Sequence, residues 1–311
     1  RGMTEPALEL RRPPRLRPGD RVWVVAPSGP VDPARLDRGC AELESWGLQV
    51  VRGEHVLDRD RYLAGRDVDR AADLQAAWCD PTAGAVFCAR GGSGATRLLG
   101  LLDWRAMGAA PPKVLVGYSD ITALQEGVAT HLGLTSLFGP MPAAETFAGE
   151  APDRASIDHL RRTLFAPEEV QVLHGGQTTC VNPGTARGAT VGGTLALLAG
   201  SIGTPESRPA AGRVVVLEDI TEPAYRIDNL LTQLLRTGWF DGVQGIVLGS
   251  WVDCGDDAVE TIRERLAPLG VPMISGMPFG HAVPQLTVPL GVPAELDADA
   301  GTLTMTVPAL E

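Results

Sequence analysis

The chain predicts an α/β fold: an N-terminal, mostly parallel sheet flanked by helices, joined to a second, smaller β-rich α/β domain. Three observations carry this. Short apolar runs rich in branched residues alternate with segments of helical period through the first half. At 311 residues the chain exceeds the roughly 250 to 300 residues over which one hydrophobic core keeps growing. Between Pro140 and Thr179, proline, alanine and charged residues surround a single helical pattern, the composition expected of a domain junction. The division expected is an arm over 1–18, an α/β domain over 19–145, a linker region over 146–178 and a C-terminal domain over 179–311.

The elements follow in order. Arg21 to Ala26 reads as a strand ending in the turn Pro27-Ser28-Gly29-Pro30, and Pro33 to Trp46 as a helix closed by Gly47. Leu48 to Val51 is a second strand, and Val68 to Trp78 is a helix with Ala71, Leu74 and Ala77 on one side, stopped by Asp80-Pro81. Ala85 to Ala89 is a third strand, Thr96 to Leu102 a short helix, and Lys113 to Val116 a fourth strand. Beyond the helix at Pro152 to Leu164, Gly192 to Leu198 opens a small-residue helix and Arg213 to Leu217 is a buried strand with Glu218-Asp219 at its end. Pro223 to Arg236 is a helix, Gly245 to Gly249 a strand, and Leu286 to Val288 is strand-like.

A net charge of −11 lacks the basic face that nucleic acid or an anionic membrane requires and favours a small-molecule or peptide substrate. Cys40, Cys79, Cys88, Cys180 and Cys254 are scattered without a C-x-x-C pair, which speaks against a disulfide scaffold or zinc site and fits a reducing cytoplasm. No metal or cofactor is expected. No apolar run reaches the 18 residues of a membrane span. Arg1-Gly2 before Met3 reads as a tag remnant, and the segment to Pro18 lacks the apolar stretch of a secretory signal.

Ser119 stands on the corner between the fourth strand and a helical pattern beginning at Asp120. A side chain there emerges at the strand's C-terminal edge, where open α/β sheets bind ligands, with the Asp120 N–H directed to the same spot. The segment departs from G-x-S-x-G, and a serine before a helix can equally be an N-cap. After the third strand, Arg90-Gly91-Gly92-Ser93-Gly94 lets backbone N–H groups converge on an anion. It fails the dinucleotide and Walker patterns; a second set of oxyanion donors and a plain turn both fit it. Glu218-Asp219, directly after a buried strand, is costly unless partnered, and His281 lies in a loop bounded by glycine and proline, where a catalytic base is commonly held.

Ala89-Arg90-Gly91-Gly92, Gly117-Tyr118-Ser119-Asp120-Ile121-Thr122, Leu217-Glu218-Asp219 with Tyr225-Arg226-Ile227-Asp228, and Phe279-Gly280-His281 with Pro289-Leu290-Gly291 occur in the order and spacing of the LD-carboxypeptidases. The chain resembles that family, which also contains the microcin C immunity peptidases, from about Val22 to about Val307. The resemblance implies a cytoplasmic homodimeric serine peptidase with a Ser119, Glu218 and His281 triad, oxyanion donors at the Gly92 and Asp120 N–H groups, and an active site between two domains. It implies removal of a terminal D-alanine from murein tetrapeptides, with hydrolysis of aminoacyl-nucleotide amides as the alternative. A catalytically silent binding protein on the same scaffold is the reading from another class. Ser93, Thr194 and Ala282 replace an aromatic residue, an asparagine and a glycine common in the family; the first two, with Gly91, are expected to line the pocket. Arg90 and Arg226 are the candidates for holding a terminal carboxylate, either of which could instead be spent on a structural pair. Lys113 should sit at the opposite sheet edge.

Overall fold

The computed structural model describes residues 9–311; the expected tag remnant lies outside them. β1 (Arg21–Val25), β2 (Gln49–Arg52), β3 (Ala83–Cys88), β4 (Val114–Gly117) and β5 (Ser136–Phe138) pair in parallel in the order β5-β4-β3-β1-β2. Burial on both faces is what selects such runs of Val, Ala and Leu: β4 is buried along its whole length. Between these strands run α1 (Pro33–Ser45), capped by the Asp32 carboxylate on the Arg35 N–H, α2 (Asp67–Cys79), the short α3 (Trp104–Ala109) and α4 (Thr122–Gly127). The stretch expected as a helix over 96–102 is a single tight turn at Ala95–Leu98. Then come α5 (Glu145–Ala148) and α6 (Arg154–Phe165), whose Asp153 cap accepts from the Ser156 N–H.

The second sheet is built from β6 (Val172–Leu173), β7 (Thr179–Asn182), β8 (Thr185–Thr194), β9 (Arg213–Ile220), β10 (Gly245–Val252), β11 (Met273–Ser275), β13 (Pro293–Asp297) and β14 (Thr302–Met305). Its order is β6-β14-β13-β8-β9-β10-β11-β7, with β8 to β11 parallel and antiparallel strands at both margins. α7 (Leu195–Gly200), α8 (Ala224–Arg236) and α9 (Ala258–Leu266) cover its parallel part. β12 (Val288–Leu290) leaves this half of the chain and pairs antiparallel with β5 at the edge of the first sheet. One apolar cluster takes Val86 and Leu115 from the first sheet together with Val216, Val247 and Phe279 from the second half. The two sheets therefore share a core.

Gly192 and Gly193 belong to the end of β8 rather than to a helix, which begins only at Leu195. Both have positive φ, and a Cβ on Gly192 would stand 1.9 Å from the Val216 carbonyl oxygen on the neighbouring strand. A Cβ on Gly193 would meet the Thr122 hydroxyl at 2.7 Å, so this glycine permits α4 of the first layer to abut the second sheet. Gly200, at the end of α7, has nothing within 4 Å of its notional Cβ. Gly192→Ala is therefore expected to cost about 3 kcal/mol or more through strain and overlap, and Gly200→Ala to leave stability within about 0.5 kcal/mol or raise it. Urea denaturation midpoints check both.

Candidate active site

Strand order brings the site together. β4, β3 and β1 are neighbours, so the turns at their C-terminal ends lie side by side: Ser119 after β4, the glycine run after β3, and Pro27 to Pro30 after β1. Ser119 has φ +63°, the left-handed region that a non-glycine residue adopts at a cost, commonly at active sites. Its hydroxyl caps no helix. Gly91 lets the backbone come so near that a Cβ there would lie 3.0 Å from the Ser119 Cβ and 3.2 Å from its Oγ. The Asp120 side chain turns inward and is 4% exposed, its Oδ2 accepting from Ser28 Oγ at 2.6 Å and from the Ala95 N–H at 2.8 Å. Burial pushes this carboxyl above its ordinary value, with the hydrogen bonds pulling the other way. One carboxylate thereby ties the Ser119 elbow to the turns after β1 and β3.

The second sheet contributes the acid and the imidazole. β9 continues through Glu218 and Asp219, and Glu218 is completely buried. In the parallel ladder Thr194 on β8 is the register partner of Glu218, and its hydroxyl donates to Glu218 Oε1 at 2.5 Å. Glu218 Oε2 lies 2.7 Å from His281 Nδ1 and 3.3 Å from the His281 backbone N–H. A carboxylate only accepts, so the proton in the 2.7 Å contact sits on Nδ1, and Nε2 is left as the basic nitrogen. Gly280 makes this approach possible: its φ is +86°, and a Cβ would fall 2.4 Å from Glu218 Oε2. The buried ring of Tyr118 stands edge-on to the imidazole at 4.9 Å between centroids.

Ser119 and His281 open into the same cleft of about 220 Å³, which Arg90, Gly91, Gly92 and Tyr118 also line. The same wall holds Asp32, Arg35 and Glu145, with an ion pair between Arg35 and Glu145. Sequence reasoning passed over these residues. The usable signal was topological: Asp32 and Arg35 open the helix that follows β1, at the edge where the other two turns meet.

Several expected pocket residues are elsewhere. Ser93 is exposed and is not on the cleft wall. Thr194 is buried behind Glu218. Arg226 is not brought into the cleft; it sits exposed in the first turn of α8, paired to Glu222 just before the helix at 2.7 Å, because α8 buries the face of Ile227, Leu231 and Leu234 and Arg226 falls off it. Arg90 does reach the cleft, but its Nη1 donates to the Pro30 carbonyl at 3.0 Å and its Nε to that of Gly91 at 3.2 Å. Lys113 lies at the start of β4, its Nζ donating to the Asp80 carbonyl at 2.8 Å.

Sequence families match both halves: the LD-carboxypeptidase N-terminal domain over residues 22–139 and the LD-carboxypeptidase C-terminal domain over 187–296. The chain belongs to the LD-carboxypeptidase family. A Streptomyces coelicolor relative, whose carboxypeptidase name is itself provisional, is 58% identical over 97% of this chain and 98% of its own. The murein tetrapeptide carboxypeptidase of Pseudomonas aeruginosa is 36% identical, over 90% of this chain and 94% of its own. Among solved structures, the microcin C7 self-immunity protein MccF superposes with a TM-score of 0.88 at 25% identity, covering 96% of this chain and 99% of that one. The muramoyltetrapeptide carboxypeptidase of Oxalobacter formigenes gives 0.79 at 29%, covering 91% and 97%. As a member of this family the chain is a peptidase, and among the described residues no helix is long and apolar enough to cross a membrane.

Two outcomes follow from the buried acids. Thr194→Val keeps the shape but leaves Glu218 Oε1 without its donor, which should cost about 1 to 3 kcal/mol of stability; urea denaturation of the variant reads this. Asp219, next along β9, accepts from the Ala196 and Ile220 N–H groups at 2.9 and 2.8 Å, yet burial raises its carboxyl from 3.8 to about 6. A folded value above the unfolded one means the group favours folding when protonated. Its contribution is fully present below the unfolded value of 3.8 and is lost as pH rises through about 6. The stability of the wild type relative to Asp219→Asn should therefore grow as pH falls across that window, measured by denaturation at fixed ionic strength; a constant difference would contradict this account.

Proposed function

We propose that the protein is a serine carboxypeptidase that removes a terminal D-alanine from the L-centre of murein tetrapeptides, acting in the cytoplasm as a homodimer in cell-wall recycling. The observation that carries the reading is the Glu218 to His281 hydrogen bond opening into the cleft that also presents the strained Ser119. A serine hydroxyl is a weak nucleophile until a positioned imidazole takes its proton. In this reading Ser119 Oγ attacks the scissile carbonyl and His281 Nε2 accepts the proton, then returns it to the leaving amine. Glu218 holds the Nδ1–H tautomer and stabilises the imidazolium. Two backbone N–H groups are assigned to the oxyanion. That of Gly92 has φ +123°, and that of Asp120 opens a helical turn, where N–H groups lack internal acceptors. Among curated relatives, identity to the named murein tetrapeptide enzyme, 36%, exceeds that to the Escherichia coli immunity protein MccF, 28%.

Recognition of a chain end needs a donor for a carboxylate beside the scissile amide. Arg90 and Arg35 are the cationic residues of the cleft wall. Arg90 is half spent on carbonyl oxygens, so Arg35, released from Glu145, is assigned the larger share. The second reading, hydrolysis of an aminoacyl-nucleotide amide, is favoured by the higher structural similarity to MccF, 0.88 against 0.79.

Ser119→Ala should abolish turnover, a loss on the order of 10⁶-fold, while leaving the denaturation midpoint near wild type, because alanine keeps the Cβ and with it the same left-handed strain. Glu218→Gln should cost roughly 10² to 10⁴ in kcat. A murein tetrapeptide, the same peptide amidated at its C-terminus, and an aminoacyl-sulfamoyl adenosine discriminate the substrates. Preference for the free carboxylate, reduced more than tenfold by Arg35→Ala, is expected; equal cleavage of both peptides would overturn the exopeptidase reading, and cleavage of the adenosine conjugate alone would establish the second.

A further inference from the structure

α6 lies in the stretch expected as a linker, yet it meets both halves of the site. Its apolar face, Ile157, Leu160 and Leu164, shares a buried cluster with Val116 of β4 and Leu137 of β5, so the helix is seated on the strand that presents Ser119. Ser156 and His159 meet the chain that leaves His281. Ser156 Oγ donates to the Asp153 carboxylate at 2.5 Å and accepts from the Gln285 N–H at 2.6 Å. His159 Nδ1 lies 3.0 Å from the Thr287 backbone nitrogen; a backbone N–H only donates, so Nδ1 is the acceptor and the ring proton sits on Nε2. Burial, with the Arg162 charge adding to it, pushes this imidazole down to about 4, which keeps it neutral and able to accept. Between the two anchors the Leu286 N–H donates to the Pro278 carbonyl at 2.8 Å and closes the loop 278–286.

We propose that Ser156 and His159 are positioning residues which, through the backbone of Gln285 and Thr287, set the imidazole of His281 against Ser119. This rests on His281 being the base. Serine and imidazole come from different sheets, and a proton passes between them only within hydrogen-bond reach. The incoming limb of the loop is fixed to the second sheet: the Phe279 carbonyl accepts from the Ser250 N–H and hydroxyl at 3.2 and 3.0 Å, and Glu218 receives His281. The outgoing limb is fixed by α6 to the layer that carries the serine, just before β12 joins it. A displacement of about 1 Å at such a contact costs up to about 10²-fold in rate. Neither Ser156 nor His159 lines the cleft, so their effect on the reaction passes through His281.

The rate at which a fluorophosphonate phosphonylates Ser119, with loss of fluoride, reads activation of the hydroxyl whatever substrate the cleft takes. Ser156→Ala and His159→Leu, each shown folded by its urea midpoint, should lower the maximal labelling rate roughly ten- to a hundredfold while the half-saturating reagent concentration stays near wild type. His159→Asn, whose Oδ1 can replace Nδ1 as acceptor, should recover most of the loss, and Ser156→Ala carries the test alone should His159→Leu not fold. A purely structural role predicts lower midpoints with labelling of the folded protein at the wild-type rate. That result, or His159→Asn labelling no faster than His159→Leu, would overturn the inference while His281→Ala remains unlabelled. Labelling of His281→Ala at the wild-type rate would instead remove the base, and the proposed catalytic reading would fall together with this one.

Discussion

A completely buried carboxylate at Glu218 constrains the structure around it. A charge removed from water at the end of a central strand must be met by donors from its surroundings, since leaving it alone costs more than most single contacts return. Thr194 meets it from the adjacent strand, and His281 meets it twice from the 277–284 loop. Gly280 is forced by the same closeness. The same Thr194 donates its backbone N–H to the Thr122 hydroxyl oxygen, and Thr122 begins the helix behind Ser119. The carboxylate is thus linked by successive hydrogen bonds to the element that carries the hydroxyl.

Asp120 plays the corresponding part in the first sheet. Ser119 is held at φ +63°, a conformation that persists only where the surroundings over-determine it. The inward Asp120 carboxylate, fixed to Ser28 and Ala95, and the apolar packing of Ile121 supply that restraint. Two acids thus organise the site from opposite sides. One faces the imidazole, and the other pins three turns so that the serine and glycine backbones can crowd together.

The cleft wall mixes two cationic and two acidic side chains, Arg35, Arg90, Asp32 and Glu145, and most are already engaged. Asp32 caps α1, Arg90 holds loop carbonyls and Arg35 is paired to a largely exposed Glu145. An exposed pair of that kind is worth little by itself. In the proposed reading, selectivity at this rim would be a competition between Glu145 and a substrate carboxylate for Arg35.

The sequence by itself determined the alternation of strands and helices in the first half, because each element reads from local period, caps and breakers. It also determined the order of the segments around Ser119, Glu218 and His281, each of which carries its own local signature of turn glycine, buried strand or rigid loop. What it left open depended on pairing between distant segments. That β12 joins the first sheet, that Gly192 and Gly193 end a strand, and that Thr194 serves the acid instead of the pocket follow from register and sheet packing, which no local pattern encodes. Arg226 looked available because Glu218 is near in sequence, yet the helix turns it to solvent and to Glu222. Arg35 and Glu145, far from Ser119 along the chain, reach the cleft only because β1, β3, β4 and β5 end at one edge. Local chemistry is written residue by residue, whereas convergence is a property of strand order, and the tertiary structure alone decided it.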